Sequence, residues 1–205
     1  MEIVQKFTDS DAAVTATLKL VIKFLLSNHK KQIAKAHTEA ELTNDTMLAI
    51  FDIDDTIIFD VQRKGKKKQA VVPNKPLLRL MRRLHSLGLE VHVITARLNE
   101  PEIVKMTERE MKEVDAVWHT LSLAPDHART SMEAVSAWKK NTRQHLAKTR
   151  GSVVLLTVGD QWGDLLKLKN DNEIDVYDHK YGSDSYMILR PHDGVSIWGL
   201  KLPVD

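Results

Sequence analysis

Cysteine is absent from this 205-residue chain, which excludes disulfides, thiolate metal sites and a cysteine nucleophile. The absence suits a reducing compartment. Aromatic residues make up only 5% of the chain, too few beside its basic stretch to form a stacking platform for sequence-specific base recognition. No apolar run is long enough to cross a bilayer, since the most apolar early stretch, 18–26, is broken by Lys19 and Lys23. Residues 1–9 lack a basic segment followed by an apolar core and a small-residue cleavage site, so a cytoplasmic location without a secretory signal or membrane partner is expected. Neither sign of charge dominates: 30 basic and 28 acidic side chains leave a net +2, giving no global case for a nucleic-acid or membrane partner. None of the nine histidines falls in the pairs or helical spacings typical of zinc, and none is expected to be a ligand. There is no internal repeat, low-complexity tract or Pro/Gly linker to divide the chain.

What is present reads as one domain over 1–205. Apolar residues Val14, Leu18, Val21, Ile22, Leu25 and Leu26 recur at helical spacing, predicting an amphipathic N-terminal helix over 10–40 capped by Ser10 or Asp11. Strands are expected at 47–51, 89–95, 116–121, 153–158 and 174–177, helices at 76–87, 102–114 and 131–148, and a helical turn over 162–169. Strands alternating with helices argue for an α/β fold with a parallel, doubly wound sheet, its core spanning 47–177.

The first of these strands runs through Leu48-Ala49-Ile50-Phe51 directly into Asp52, Asp54 and Asp55. Carboxylates gathered in a partly dry place need a cation, a proton or a phosphoryl group to offset them. In an open α/β sheet, ligands bind at the carboxyl ends of strands. Asp52 and Asp54 lie two apart, so both can point into one site: one carboxylate to attack phosphorus, the other to protonate the leaving oxygen and later deprotonate water. The same Asp-x-Asp pattern also occurs in plain turns and helix caps.

Three further elements bear on this choice. The strand Val91-His92-Val93-Ile94 ends in Thr95-Ala96-Arg97, which offers a hydroxyl and backbone N–H groups to phosphoryl oxygens. The strand over 153–158 runs into Gly159-Asp160-Gln161-Trp162-Gly163-Asp164, a second acidic pair on a glycine-flanked turn. Oxygen ligands from two strand ends would suit Mg²⁺. Between them, Lys139 in Trp138-Lys139-Lys140-Asn141-Thr142-Arg143 is placed to bind both Asp52 and phosphate, although most helical lysines are solvated surface.

In combination these segments resemble the four motifs of the haloacid dehalogenase (HAD) superfamily of phosphohydrolases, over about residues 47–174. They are most similar to the class III acid phosphatase and vegetative-storage-protein branch, through Asp52-Ile53-Asp54-Asp55-Thr56, Trp138-Lys139-Lys140-Asn141-Thr142-Arg143 and Gly159-Asp160-Gln161-Trp162-Gly163-Asp164-Leu165. The tail 197–203 is similar to that branch's apolar C-terminal strand. The resemblance implies a Rossmann-like three-layer α/β/α core and a Mg²⁺-dependent phosphomonoester hydrolase acting through an aspartyl-phosphate. It implies Asp52 as nucleophile and Asp54 as general acid/base, with Thr95, Ala96 and Lys139 at the phosphoryl group. Mg²⁺ would lie on Asp52, the Asp54 carbonyl and Asp160, supported by Asp164. Two departures are Asp55 where the branch has Glu, and Ala96 where Gly is common.

That branch also has a longer insertion after its first motif. Here only 59–74 intervenes, predicting a minimal β-hairpin cap whose tip, Arg63-Lys64-Gly65-Lys66-Lys67-Lys68, carries five cations. Arg63, Lys64 and Lys66 are candidate contacts to a polyanionic substrate. The expected substrate is a phosphorylated small molecule or nucleotide, with a nucleic-acid terminus at this hairpin as the alternative. A third reading is a storage or binding protein with little turnover, against which the intact Asp52 speaks.

Overall fold

The computed structural model describes residues 2–7, 9–26, 47–61, 70–166, 168–170, 172–173, 177, 184–189 and 196–202. Among the described residues, nine strands and five α-helices follow in the order β1 (Glu2–Phe7), α1 (Ser10–Leu26), β2 (Met47–Phe51), β3 (Ile58–Val61), β4 (Ala70–Pro73), α2 (Lys75–Ser86), β5 (Glu90–Leu98), α3 (Pro101–Glu113), β6 (Thr120–Ala124), α4 (Met132–Arg150), β7 (Val153–Gly159), α5 (Trp162–Leu165), β8 (Ser185–Leu189) and β9 (Trp198–Lys201). Seven strands form one sheet in the order β1-β8-β9-β7-β2-β5-β6, and β3 and β4 form a separate hairpin. The expected Rossmann-like α/β core with a mainly parallel sheet is present: β2 pairs in parallel with β5 and β7, β5 with β6, and β7 with β9. Only the far edge, β1 with β8 and β8 with β9, is antiparallel.

β2 suits an interior place between β7 and β5, because all five of its residues are apolar and it is buried along its whole length. Its alternation divides the core between two faces. Met47, Ala49 and Phe51 join a large apolar cluster with side chains of α1, α2 and α3. Leu48 and Ile50 join Ile94 and Val154 in a smaller cluster covered by Trp138, Leu146 and Ala147 of α4. Helices on both faces of the sheet give the three layers.

Local chemistry starts the helices where the motifs need them. Asn74 caps α2 through its side chain, accepting from Leu77 N–H, and Pro76 opens the first turn. Ser131 caps α4, accepting from Ala134 N–H at 3.1 Å, and Gly151 ends that helix at φ 59°.

Several boundaries differ from expectation. The N-terminal helix is described over Ser10–Leu26, and the rest of the predicted 10–40 span lies outside the described residues. It is preceded by β1, whose residues form an edge strand because β8 supplies a partner from 180 residues away in the chain, beyond any local signal. The strand expected at 116–121 is β6 at Thr120–Ala124. Ala116, Val117 and Trp118 are apolar because they pack on the large cluster, not because they pair; the ladder with β5 begins at Thr120 opposite His92. The helical turn predicted over 162–169 is α5, which ends at Leu165. Of the strand expected over 174–177 only Tyr177 is described, and it is helical; 174–176 lie outside the described residues. Tyr177 instead stacks on Trp162, ring centroids 5.4 Å apart, while β9 takes the place beside β7. The cap hairpin pairs as expected, with Phe59 opposite Val72, but its basic tip, with Arg63, Lys64 and Lys66, lies outside the described residues.

Candidate active site

Side-chain parity on β2 decides where the first carboxylate goes. Leu48 and Ile50 face α4, so Asp52, next in the same register, emerges on that side. There Lys139 of α4 donates from Nζ to Asp52 Oδ1 at 2.7 Å. The same ammonium donates to Asp164 Oδ1 at 2.5 Å.

Beyond Asp52 the chain folds into a tight turn. The Ile53 carbonyl accepts N–H groups from Thr56, Ile57 and Ile58, and Asp55 takes the left-handed conformation at φ 53°. The turn places the Thr56 hydroxyl against Asp160, donating to Oδ1 at 3.1 Å and accepting the Asp160 N–H at 3.1 Å. One buried hydroxyl thus latches the first acidic turn to the second.

The second turn follows β7. The Asp164 carboxylate caps the start of its own helix, taking the Gln161 N–H on Oδ2 at 3.0 Å, while Gln161 Nε2 donates to Asp160 Oδ2 at 2.8 Å. Glycine is required at 159, because an added Cβ would lie 2.3 Å from both Cβ and Oδ2 of Asp164. Three residues on one face of α4 grip this segment: Ser136, Lys139 and Arg143. Ser136 Oγ donates to the Leu166 carbonyl at 2.5 Å and accepts the Leu168 N–H at 2.9 Å, and Arg143 Nη1 donates to the Asp164 carbonyl at 2.6 Å. Buried Trp162 anchors the turn from below.

Asp52, Asp160 and Asp164 are all buried, with oxygens that lie within 4.8 Å of one another. Burial pushes the Asp52 carboxyl well up, Lys139 works against this, and Asp164 and Asp160 add to it. Burial and then Asp164 push Asp160 up to about 6, against hydrogen bonds from Gln161 and Thr56. Burial opposes the charge on Lys139, but Asp164 and Asp52 outweigh it and hold the ammonium protonated. Three buried carboxylates against one ammonium leave excess negative charge among hard oxygen donors. That donor set fits a divalent cation.

The remaining predicted residues divide. Asp54 lines the same cleft, of about 190 Å³, yet its carboxylate is not one of the three gathered oxygens. It pairs with Arg97, whose Nε lies 3.1 and 3.0 Å from its two oxygens and whose Nη2 lies 2.6 Å from Oδ1. Ala96 lines the cleft, as do the apolar side chains of Met132 and Val135 of α4. Thr95 is fully buried, its hydroxyl accepting the Arg97 N–H at 3.3 Å. Sequence reasoning assigned no side-chain role to Arg97, Thr56, Ser136 or Arg143. Thr56 and Arg143 carried a signal by standing in the quoted motif segments, Arg143 one helical turn after Lys139, and Arg97 by closing the strand end Thr95-Ala96-Arg97.

The model of the family "HAD superfamily, subfamily IIIB (Acid phosphatase)" matches residues 62–184. Thr95, Lys139, Asp160 and Asp164 fall inside the match, and Asp52 and Asp54 just ahead of it. No curated protein matches the chain. Among matching solved structures is a provisionally assigned 3-deoxy-D-manno-octulosonate 8-phosphate phosphatase from Vibrio cholerae, 20% identical, with a TM-score of 0.32. The match covers 60% of this chain and 62% of that one.

Proposed function

The chain belongs to the HAD superfamily, subfamily IIIB, the acid phosphatases, and we propose that it hydrolyses phosphomonoesters through an aspartyl-phosphate on Asp52. The observation that carries this reading is the buried bridge from Lys139 to Asp52 and Asp164 with Asp160 alongside, which unites groups from three separate elements around one small cleft. An Asp52 oxygen attacks phosphorus, the bond to the leaving oxygen breaks, and Asp54 gives that oxygen its proton. Asp54 then takes a proton from water as the water attacks phosphorus, which releases phosphate and restores Asp52. Lys139 tempers the upward shift of the Asp52 carboxyl and would attract the phosphoryl oxygens, with Thr95 and the backbone at Ala96 as further candidate contacts. Asp52, Asp160, Asp164 and the Asp54 carbonyl would hold Mg²⁺, which when bound offsets the charge of carboxylates and phosphate.

The substrate is a phosphorylated small molecule or nucleotide, whose phosphoryl end would enter the cleft of about 190 Å³ beside Ala96, Met132 and Val135. The test is phosphate release from an aryl phosphate with and without Mg²⁺, comparing wild type with Asp52→Asn. Activity that needs the metal and is lost in the variant is the expected result. Turnover retained by Asp52→Asn would overturn the covalent step, and no release from folded, Mg²⁺-loaded wild type would overturn the phosphatase reading in favour of a binding role.

A further inference from the structure

Arg97 sits at an irregularity in the sheet. The register of β5 against β6 shifts between Thr95 and Leu98, and such a bulge re-aims the side chains it contains. The Arg97 guanidinium leaves the sheet at this point, with its side chain only 11% exposed, and meets two acids from different directions. On one side is Asp54, held through Nε and Nη2 as described above. On the other is α3, where Thr107 and Glu110 lie three apart on one helical face. Nη1 donates to Thr107 Oγ1 at 3.2 Å and to Glu110 Oε2 at 2.5 Å.

The two ends of this relay differ. Thr107 is fully buried and the Glu110 side chain is 15% exposed, so α3 supplies a fixed mount. Asp54 is 46% exposed and faces the cleft. Its Oδ1 takes two N–H groups but its Oδ2 only one, at 3.0 Å, which leaves acceptor capacity on Oδ2. A planar fork bonded along one edge of a carboxylate fixes its plane as well as its place.

We propose that Arg97, mounted on Glu110 and Thr107, is a positioning residue that aims Asp54 for proton transfer to the leaving oxygen. The inference rests on the roles proposed for Asp52 and Asp54. It places part of the proton-transfer machinery on α3, a helix that does not line the cleft. Losing the mount loosens Asp54 without removing any group that touches phosphate.

Protonation matters most when the leaving group is a poor one, and kcat/KM reports only the steps up to formation of the phosphoenzyme. The experiment therefore measures kcat/KM of the Mg²⁺-loaded enzyme for an alkyl phosphate and for 4-nitrophenyl phosphate, in wild type, Arg97→Ala, Arg97→Lys, Glu110→Gln and Asp52→Asn. A general acid contributes roughly 10²–10⁴-fold, so Arg97→Ala should raise the nitrophenyl-to-alkyl ratio by about 10²-fold. Glu110→Gln should raise it about tenfold, with Arg97→Lys lying between because an ammonium cannot fork. Equal losses on both substrates would reduce Arg97 to a structural role and overturn the proposal, as would an unchanged ratio in Glu110→Gln should Arg97→Ala fail to fold. Asp52→Asn separates the two readings: if it is inert on both esters while the ratio stays flat in the others, only the positioning role fails. If it turns over, the underlying mechanism fails and the positioning role with it.

Discussion

Neutralising Asp160 should stabilise the metal-free protein while destroying its response to metal. The carboxyl rises from the usual 3.8 to about 6, first from burial and then from the neighbouring Asp164. Because the folded value is raised, this group favours the folded state below about pH 4, and that advantage is lost as pH climbs through about 6. At pH 7 the folded protein therefore holds an ionised group that the unfolded chain accommodates more easily. With each tenfold change in proton affinity worth about 1.36 kcal/mol, the penalty is about 3 kcal/mol. Asp160→Asn removes it but weakens the hydrogen bonds from Thr56 and Gln161, worth about 1 kcal/mol together. The net gain of about 2 kcal/mol corresponds to a rise in Tm of roughly 4–8 °C for a chain of this size. Thermal unfolding in EDTA should show that gain at pH 7 and its disappearance near pH 4. Added Mg²⁺ should raise the Tm of wild type, because it binds only the folded state, and leave the variant nearly unmoved. A variant less stable than wild type at pH 7 in EDTA, or a gain that does not shrink on acidification, would refute the assignment of Asp160 to a charge-loaded cluster.

Other substitutions probe the same site from different sides. Lys139→Met strands three buried carboxylates and should cost about 3–5 kcal/mol in metal-free unfolding at pH 7, with much less loss at pH 4; a pH-independent loss would point to packing alone. Gly159→Ala drives its new Cβ into Asp164, so Mg²⁺-dependent activity should fall at least tenfold, with wild-type activity refuting the need for that close approach. Far from the cleft, burial lowers the pKa of His92 against the opposing pull of Glu90, with Thr120 Oγ1 2.5 Å from its Nδ1 and His119 and Arg150 nearby. Its depressed value means that stability is present above about pH 6.5 and is lost as pH falls below it. Denaturant midpoints measured from pH 7.5 to 5 should therefore slope less in His92→Gln than in wild type.

The legible part of this chain is the part in which each residue type answers a local demand. The apolar run of β2, the caps at Asn74 and Ser131 and the glycine-flanked turn at 159–164 all announced themselves, and with them the four carboxylates and Lys139. Parity did more than locate the strand, for the alternation that buries Leu48 and Ile50 under α4 also delivers Asp52 to Lys139. What stayed hidden depends on partners far along the chain. β1 is a short segment made into a strand by β8, and 116–118 is apolar for packing rather than pairing. The Thr56 latch spans 104 residues and the Arg97–Asp54 pair 43. Arg97 is one of 30 basic residues, and although it follows Thr95 and Ala96 at a strand end, nothing there shows which acids its side chain meets. Its importance follows from two facts that exist only after folding: β5 lies directly beside β2, and a bulge at its end turns the side chain towards both Asp54 and α3. Groups that perform the chemistry cluster at strand ends and can be read from spacing, whereas groups that aim them are recruited from whatever element the topology brings alongside. Variants at the second kind should therefore change leaving-group selectivity before they change fold or metal binding, the pattern that distinguishes Glu110→Gln from Lys139→Met.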